Sequence, residues 1–115
     1  MADVLYDTDV FIDHLRSAAR LRPGRDRVHY SVVTRAELFA GNSATALVGE
    51  LLSPFRELPV DRAVAERAGR IRREHDVRLP DALIAATAAE HGLTVVTRNV
   101  SDFARVRGVR TRRPR

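Results

Sequence analysis

Apolar residues recur along this chain at two different spacings, and the alternation between them outlines the fold. Val4–Tyr6 is a short uninterrupted apolar run, the mark of a buried strand. From Thr8 to about Ala18, Val10, Phe11 and Leu15 fall at helical spacing. Pro23-Gly24 breaks both kinds of regular structure, so residues 20–27 form a loop. The β-branched stretch 28–33 predicts a second strand. Thr34 and Glu37 then match a capping box, with Thr34 at the N-cap and the helix running to about Ala40 before Gly41 ends it. A further helix spans 44–52 and stops at Pro54, and residues 55–60 give a short third strand. Asp61 caps a longer helix reaching His75, with Ala63, Val64, Ala68 and Ile71 as its apolar stripe. Residues 81–91 are strongly helical and close at Gly92. Residues 94–97 predict a buried strand, 101–106 one short turn of helix, and 109–111 an edge strand before a frayed tail.

Strands alternating with helices predict a three-layer α/β domain, with a mostly parallel central sheet flanked by helices. A length of 115 residues suits one domain, so 1–115 is read as a single unit, with about 105–115 as a basic C-terminal strand and tail.

Composition narrows the chemistry. The chain has no cysteine, which excludes disulfides, thiolate catalysis and Cys-ligated zinc. It shows no basic segment followed by a long apolar core at its start, and no stretch near the roughly 20 apolar residues of a membrane span, so a soluble cytoplasmic protein is expected. The net charge is +5, and all 20 basic side chains are arginine. Arginine pairs with phosphate through a planar fork, so a nucleic acid suits this chain, as does an acidic protein.

Against this basic background, four acids fall at or after strand ends or at a helix start. Asp7 follows the first strand, Glu37 lies a helical turn beyond the second, Asp81 opens the 81–91 helix, and Asp102 lies just past the last buried strand. In open α/β sheets such positions converge on one edge, where ligands gather. Four carboxylates together repel one another unless a hard cation such as Mg²⁺ or Mn²⁺ neutralises them. Such a cation can activate a water against a phosphodiester, while arginines hold the backbone. A phosphoacceptor signalling domain also clusters acids at strand ends, but it typically relies on a lysine beside them, and this chain has none. A non-catalytic RNA- or protein-binding module has no need of mutually repelling acids.

Four segments carry a family resemblance: YDTDVFIDHL at 6–15, SVVTRAELFAG at 31–41, LPDALIAATAAEHGLTVVTRN at 79–99 and NVSDF at 99–103. Together they resemble a PIN-domain ribonuclease, in particular the VapC-type toxin of type II toxin–antitoxin pairs. The resemblance implies that Asp7, Glu37, Asp81 and Asp102 are the catalytic and metal-binding acids, with Mg²⁺ or Mn²⁺ as cofactor. It places Thr8, Thr97 and Asn99 among the polar groups lining the pocket. It implies an endoribonuclease that hydrolyses RNA by a metal-activated water, a VapB-like antitoxin that binds and inhibits it, and a homodimer. A PIN nuclease of RNA processing without an antitoxin carries the same acids.

Two departures stand out. The family usually has Ser or Asn two residues after the first acid; here Asp9 stands there, as either a fifth metal-binding carboxylate or a helix cap. The region between Glu37 and Asp81, which in relatives contributes to dimer and antitoxin contacts, is short. Asp13 is read as a surface residue facing Arg16 and solvent. His14, His29, His75 and His91 share no ligand spacing, Phe11 and Phe39 belong to the core or face a partner, and the C-terminal arginines form a solvated tail or contact RNA.

Overall fold

The computed structural model describes residues 1–115. The chain forms β1 (Asp3–Tyr6), α1 (Thr8–Leu15), β2 (Arg27–Ser31), α2 (Val32–Phe39), α3 (Thr45–Leu52), β3 (Arg56–Leu58), α4 (Arg62–Glu74), α5 (Leu79–His91), β4 (Thr94–Val96), α6 (Val100–Ala104) and β5 (Thr111–Arg112). Five strands make one sheet in the order β3-β2-β1-β4-β5. Every pairing is parallel, including that of the short β5 along β4. The expected α/β sheet is thus wholly parallel.

Strand side chains alternate between two cores, as the two-residue period of a strand requires. Leu5 and Val95 face a cluster built with Val64, Ala68 and Ile71 of α4 and the buried face of α5. Val4, Tyr6 and Val96 face the opposite cluster, with Phe11 of α1, Leu38 of α2, and Val48 and Leu52 of α3. Helices therefore cover both faces, which is why β1 and β4 read as unbroken apolar runs. In α5, Ala82, Ala85, Ala86 and Ala88 are all buried, and their small side chains let α4 and the sheet approach closely. Phe11 is core, whereas Phe39 is an exposed side chain over which Arg35 lies, 5.8 Å from the ring centre. No helix is long and apolar enough to cross a membrane.

Four expectations need correction. The second strand ends at Ser31, and Val32 and Val33 open α2. Ser31 is the cap, its hydroxyl accepting from the Val33 amide at 3.0 Å, so Thr34 and Glu37 form no capping box. A side-chain cap on the last residue of the strand outweighed the strand preference of two valines, a preference that depends on context. Helix α5 begins at Leu79, two residues before Asp81, because Pro80 in the first turn forfeits no helical hydrogen bond. The tail is also held. Arg112 and Arg115 both donate to Asp26 Oδ2, at 2.9 and 3.0 Å, and the Ala2 amide donates to Oδ1 at 3.3 Å. With Arg112 as their main cause, these contacts hold the Asp26 carboxyl below its ordinary range.

The Ser31 cap is testable: Ser31→Ala should cost about 1 kcal/mol in urea unfolding. An unchanged midpoint would show that α2 is capped otherwise.

Candidate functional site

The strand order reverses between β1 and β4. From β1 the chain moves outward through β2 and β3, then crosses to the other side for β4 and β5. In such a sheet the carboxyl ends of the two strands at the reversal splay their following loops apart and leave a crevice. Asp7 follows β1 and Thr97 follows β4 at this point, and the Asp7 amide is still held by the Val96 carbonyl at 2.9 Å.

Asp7 is the N-cap of α1. One carboxylate oxygen accepts from the Thr8 amide at 2.8 Å, and the other accepts from the Thr97 hydroxyl at 2.8 Å. It is 4% exposed. Burial is the chief reason its pKa is raised, to about 7; the charge of Asp9 adds to this and that of Asp81 contributes less, while the two hydrogen bonds oppose it. Asp9 lies in the first turn of α1, 3.3 Å from the same Thr97 hydroxyl and 3.1 Å from the Arg98 amide. Burial raises its pKa too. The Thr97 hydroxyl carries one proton and already accepts from the Asn99 amide at 2.9 Å. It cannot donate to Asp7 and Asp9 together. Asp9 Oδ1 is buried with no partner at all. The Asp7–Asp9 pair is therefore short of hydrogen-bond donors.

Next to Asp7 in the chain, Thr8 donates through its hydroxyl to Glu37 Oε1 at 2.7 Å and lies 2.9 Å from the Thr34 hydroxyl. A carboxylate only accepts, so the Thr8 proton goes to Glu37 and Thr34 must donate to Thr8. Thr34, expected to cap a helix, thus stands behind Thr8 and Glu37. Asp81 sits in the first turn of α5 with Arg78 Nε 3.8 Å away. Burial is the main cause of its raised pKa; Arg78 opposes this, and the charges of Glu37 and Asp102 add to it. Asp102 is the outermost of the set, with its side chain 55% exposed and Arg105 3.5 Å away. The fold thus links all four expected acids electrostatically: Asp7 with Asp81, and Asp81 with Glu37 and Asp102. Of the expected polar lining, Thr8 and Thr97 are buried, and Asn99 enters through its main chain.

Asp13 is not the solvated residue its spacing suggested. Its side chain is 15% exposed and pairs with Arg98 Nε at 3.0 Å. Nothing local to Asp13 marks this partner, because Arg98 is 85 positions away and reaches α1 only through the parallel pairing of β4 with β1.

The donor set is all oxygen, which suits a hard divalent cation and not zinc or copper. The unpartnered Asp9 Oδ1 and the raised pKa values of Asp7, Asp9 and Asp81 mark a place where such a charge would relieve the acids. No three acids or histidines stand at the spacing of a ready-made metal cage.

Residues 4–109 match the PIN domain, and the chain belongs to that family. Over 113 residues it is 38% identical to Ribonuclease VapC10 of Mycobacterium tuberculosis, covering 87% of this chain and 85% of that protein. Among solved structures it resembles a chain of a toxin–antitoxin complex from Klebsiella pneumoniae, with 34% identity and a TM-score of 0.79 over 92% of this chain and 94% of that one. It also resembles DNA-bound VapBC from Salmonella typhimurium, with 28% identity and a TM-score of 0.85 over 98% of each chain.

The raised pKa of Asp7 carries a sign for stability. In the folded protein without metal the carboxyl keeps its proton up to about pH 7, whereas in the unfolded chain it loses it near its ordinary value. Stability from this group is complete in acid and is lost as pH rises through about 7, a change of about 4 kcal/mol over that window. In chelator, Asp7→Asn should therefore be more stable than the parent at pH 8, with the difference vanishing near pH 4. Equal melting temperatures at both pH values would contradict the burial argument.

Proposed function

We propose that this chain is a VapC-type endoribonuclease, the toxin of a toxin–antitoxin pair, and that Mg²⁺ or Mn²⁺ at its acid cluster is required for activity. The observation that carries the reading is the buried Asp7 at the reversal of a PIN-domain sheet, linked by charge to Asp9 and Asp81 and through Asp81 to Glu37 and Asp102. The ribonuclease named among its relatives supports the activity, and the toxin–antitoxin complexes support the partner.

Asp7 and Asp81 are the main candidates to hold the ion, Glu37 and Asp102 complete its surroundings, and Asp9 stands close enough to join them. Bound there, a divalent ion would offset the acids' charge, lower the pKa of a water and stabilise charge at the phosphate. The chain's own part is to fix the acids. Thr8 and Thr97 hold Glu37 and Asp7 by single directed hydrogen bonds, and the buried floor of the crevice excludes bulk water from Asp7. The arginines supply attraction for a polyanion that the acids alone would repel. Hydrolysis adds water across a phosphodiester, breaks the bond from phosphorus to the 3′ oxygen, and leaves a 3′-hydroxyl and a 5′-phosphate. We take the partners to be RNA, a VapB-like antitoxin and a second copy of this chain.

Purified protein should cleave RNA with Mg²⁺ or Mn²⁺, stop with chelator, and be inhibited by an antitoxin encoded beside it. Asp7→Asn and Asp81→Asn should each lose on the order of 100-fold or more in kcat, and Asp102→Asn should lose less. Undiminished cleavage by the first two variants, purified free of other nucleases, would sink the reading.

A further inference from the structure

Arg98 lies just beyond β4, at the rim of the acid cluster, in an unusual setting. Asp9 and Asp13 are four residues apart on α1 and so share one helix face. Both engage Arg98. Its Nε is 3.0 Å from Asp13 Oδ2 and 3.8 Å from Asp9 Oδ2, while its main-chain amide donates to Asp9 at 3.1 Å. The two acids are nearly buried, at 12% and 15% side-chain exposure, yet the arginine between them is 56% exposed. In both acid contacts Nε is the guanidinium nitrogen nearest the carboxylate, and more than half of the arginine side chain stays open to solvent. Arg113, from the C-terminal segment pinned through Arg112 and Arg115 to Asp26, donates to the Arg98 carbonyl at 3.5 Å and brings a second cation to the same rim.

A guanidinium already held by an ion pair and still more than half exposed can meet a phosphate with its planar fork at reduced entropic cost. We infer that Arg98, seconded by Arg113, binds an RNA phosphate neighbouring the scissile one, and that Asp13 is the positioning residue that aims it. This rests on the nuclease reading above and adds a substrate-binding element to it. It also assigns the pinned tail a purpose, which is to hold Arg113 in place beside the crevice.

A counter-charge that merely quiets Asp9 and Asp13 would act on stability or metal affinity alone, so the test reads substrate binding and its dependence on salt. Cleavage kinetics would be measured with Mg²⁺, together with anisotropy of a labelled oligoribonucleotide with Ca²⁺ in its place. Arg98→Ala, which keeps the main-chain bond to Asp9, should raise KM and the RNA dissociation constant by about 10-fold or more. It should leave kcat within about 3-fold and reduce the slope of log affinity against log salt by about 1. Arg98→Lys should restore the slope but only part of the affinity. Asp13→Asn should weaken binding by a smaller factor with the slope unchanged, since the positive charge remains while its aim is lost. An Arg98→Ala protein with unchanged RNA affinity and slope overturns the inference, and so does one that fails only in antitoxin binding, which would assign the arginine to the protein partner. If the wild-type chain cleaves no RNA, the nuclease reading fails separately, and the anisotropy slope still decides the role of Arg98.

Discussion

A carboxylate buried at the end of a central parallel strand is the constraint around which this molecule is arranged. Asp7 sits where a charge is costly, and it is held there by main-chain and hydroxyl donors instead of an arginine or lysine. Its nearest charged influences are other acids. Twenty arginines were available to neutralise it. Those at this edge are spent elsewhere: Arg78 stands by Asp81, Arg98 by Asp9 and Asp13, and Arg105 by Asp102. The innermost acid is left without a cation of its own, an arrangement that costs stability and makes sense if charge is supplied from outside.

The sheet makes this possible. A wholly parallel sheet with helices on both faces buries its strands completely, so the cores need nothing from the carboxyl edge. The reversal between β1 and β4 then leaves the carboxyl ends of these two strands, with Asp7 and Thr97, free to meet a ligand. Thr97 is held from two sides, its amide by the Arg112 carbonyl of β5 and its hydroxyl by Asp7. The pinned tail therefore supports the site through the last strand. It does so through an ion cluster at Asp26, a residue the sequence pattern marked only as part of a loop.

What was legible in the sequence follows from how local each signal is. The apolar runs of β1 and β4, the Asp61 cap and the Gly92 stop depend on neighbours within a few residues, and each appears where the pattern put it. The capping box was misplaced because Ser31 and Thr34 carry the same local chemistry, and the end of β2 decides between them. Asp13 and Arg98 were illegible because their pairing depends on strand register across the sheet. Thr34 was visible as a residue but not as a donor to Thr8, since that role exists only once α1 and α2 pack side by side. The four acids at strand and helix ends were readable in advance, but their coupling through Asp81 was not.

We propose at Asp7 and its neighbours a divalent cation that the chain's own arginines do not replace. The most direct test is Mn²⁺ binding at pH 7.5, followed by the loss of the free-ion electron paramagnetic resonance signal, in the wild-type protein and in Asp7→Asn. Saturable binding is expected of the wild-type protein, weakening by about 10-fold or more in the variant. Equal Mn²⁺ affinity in the two proteins, or none in either, would contradict it.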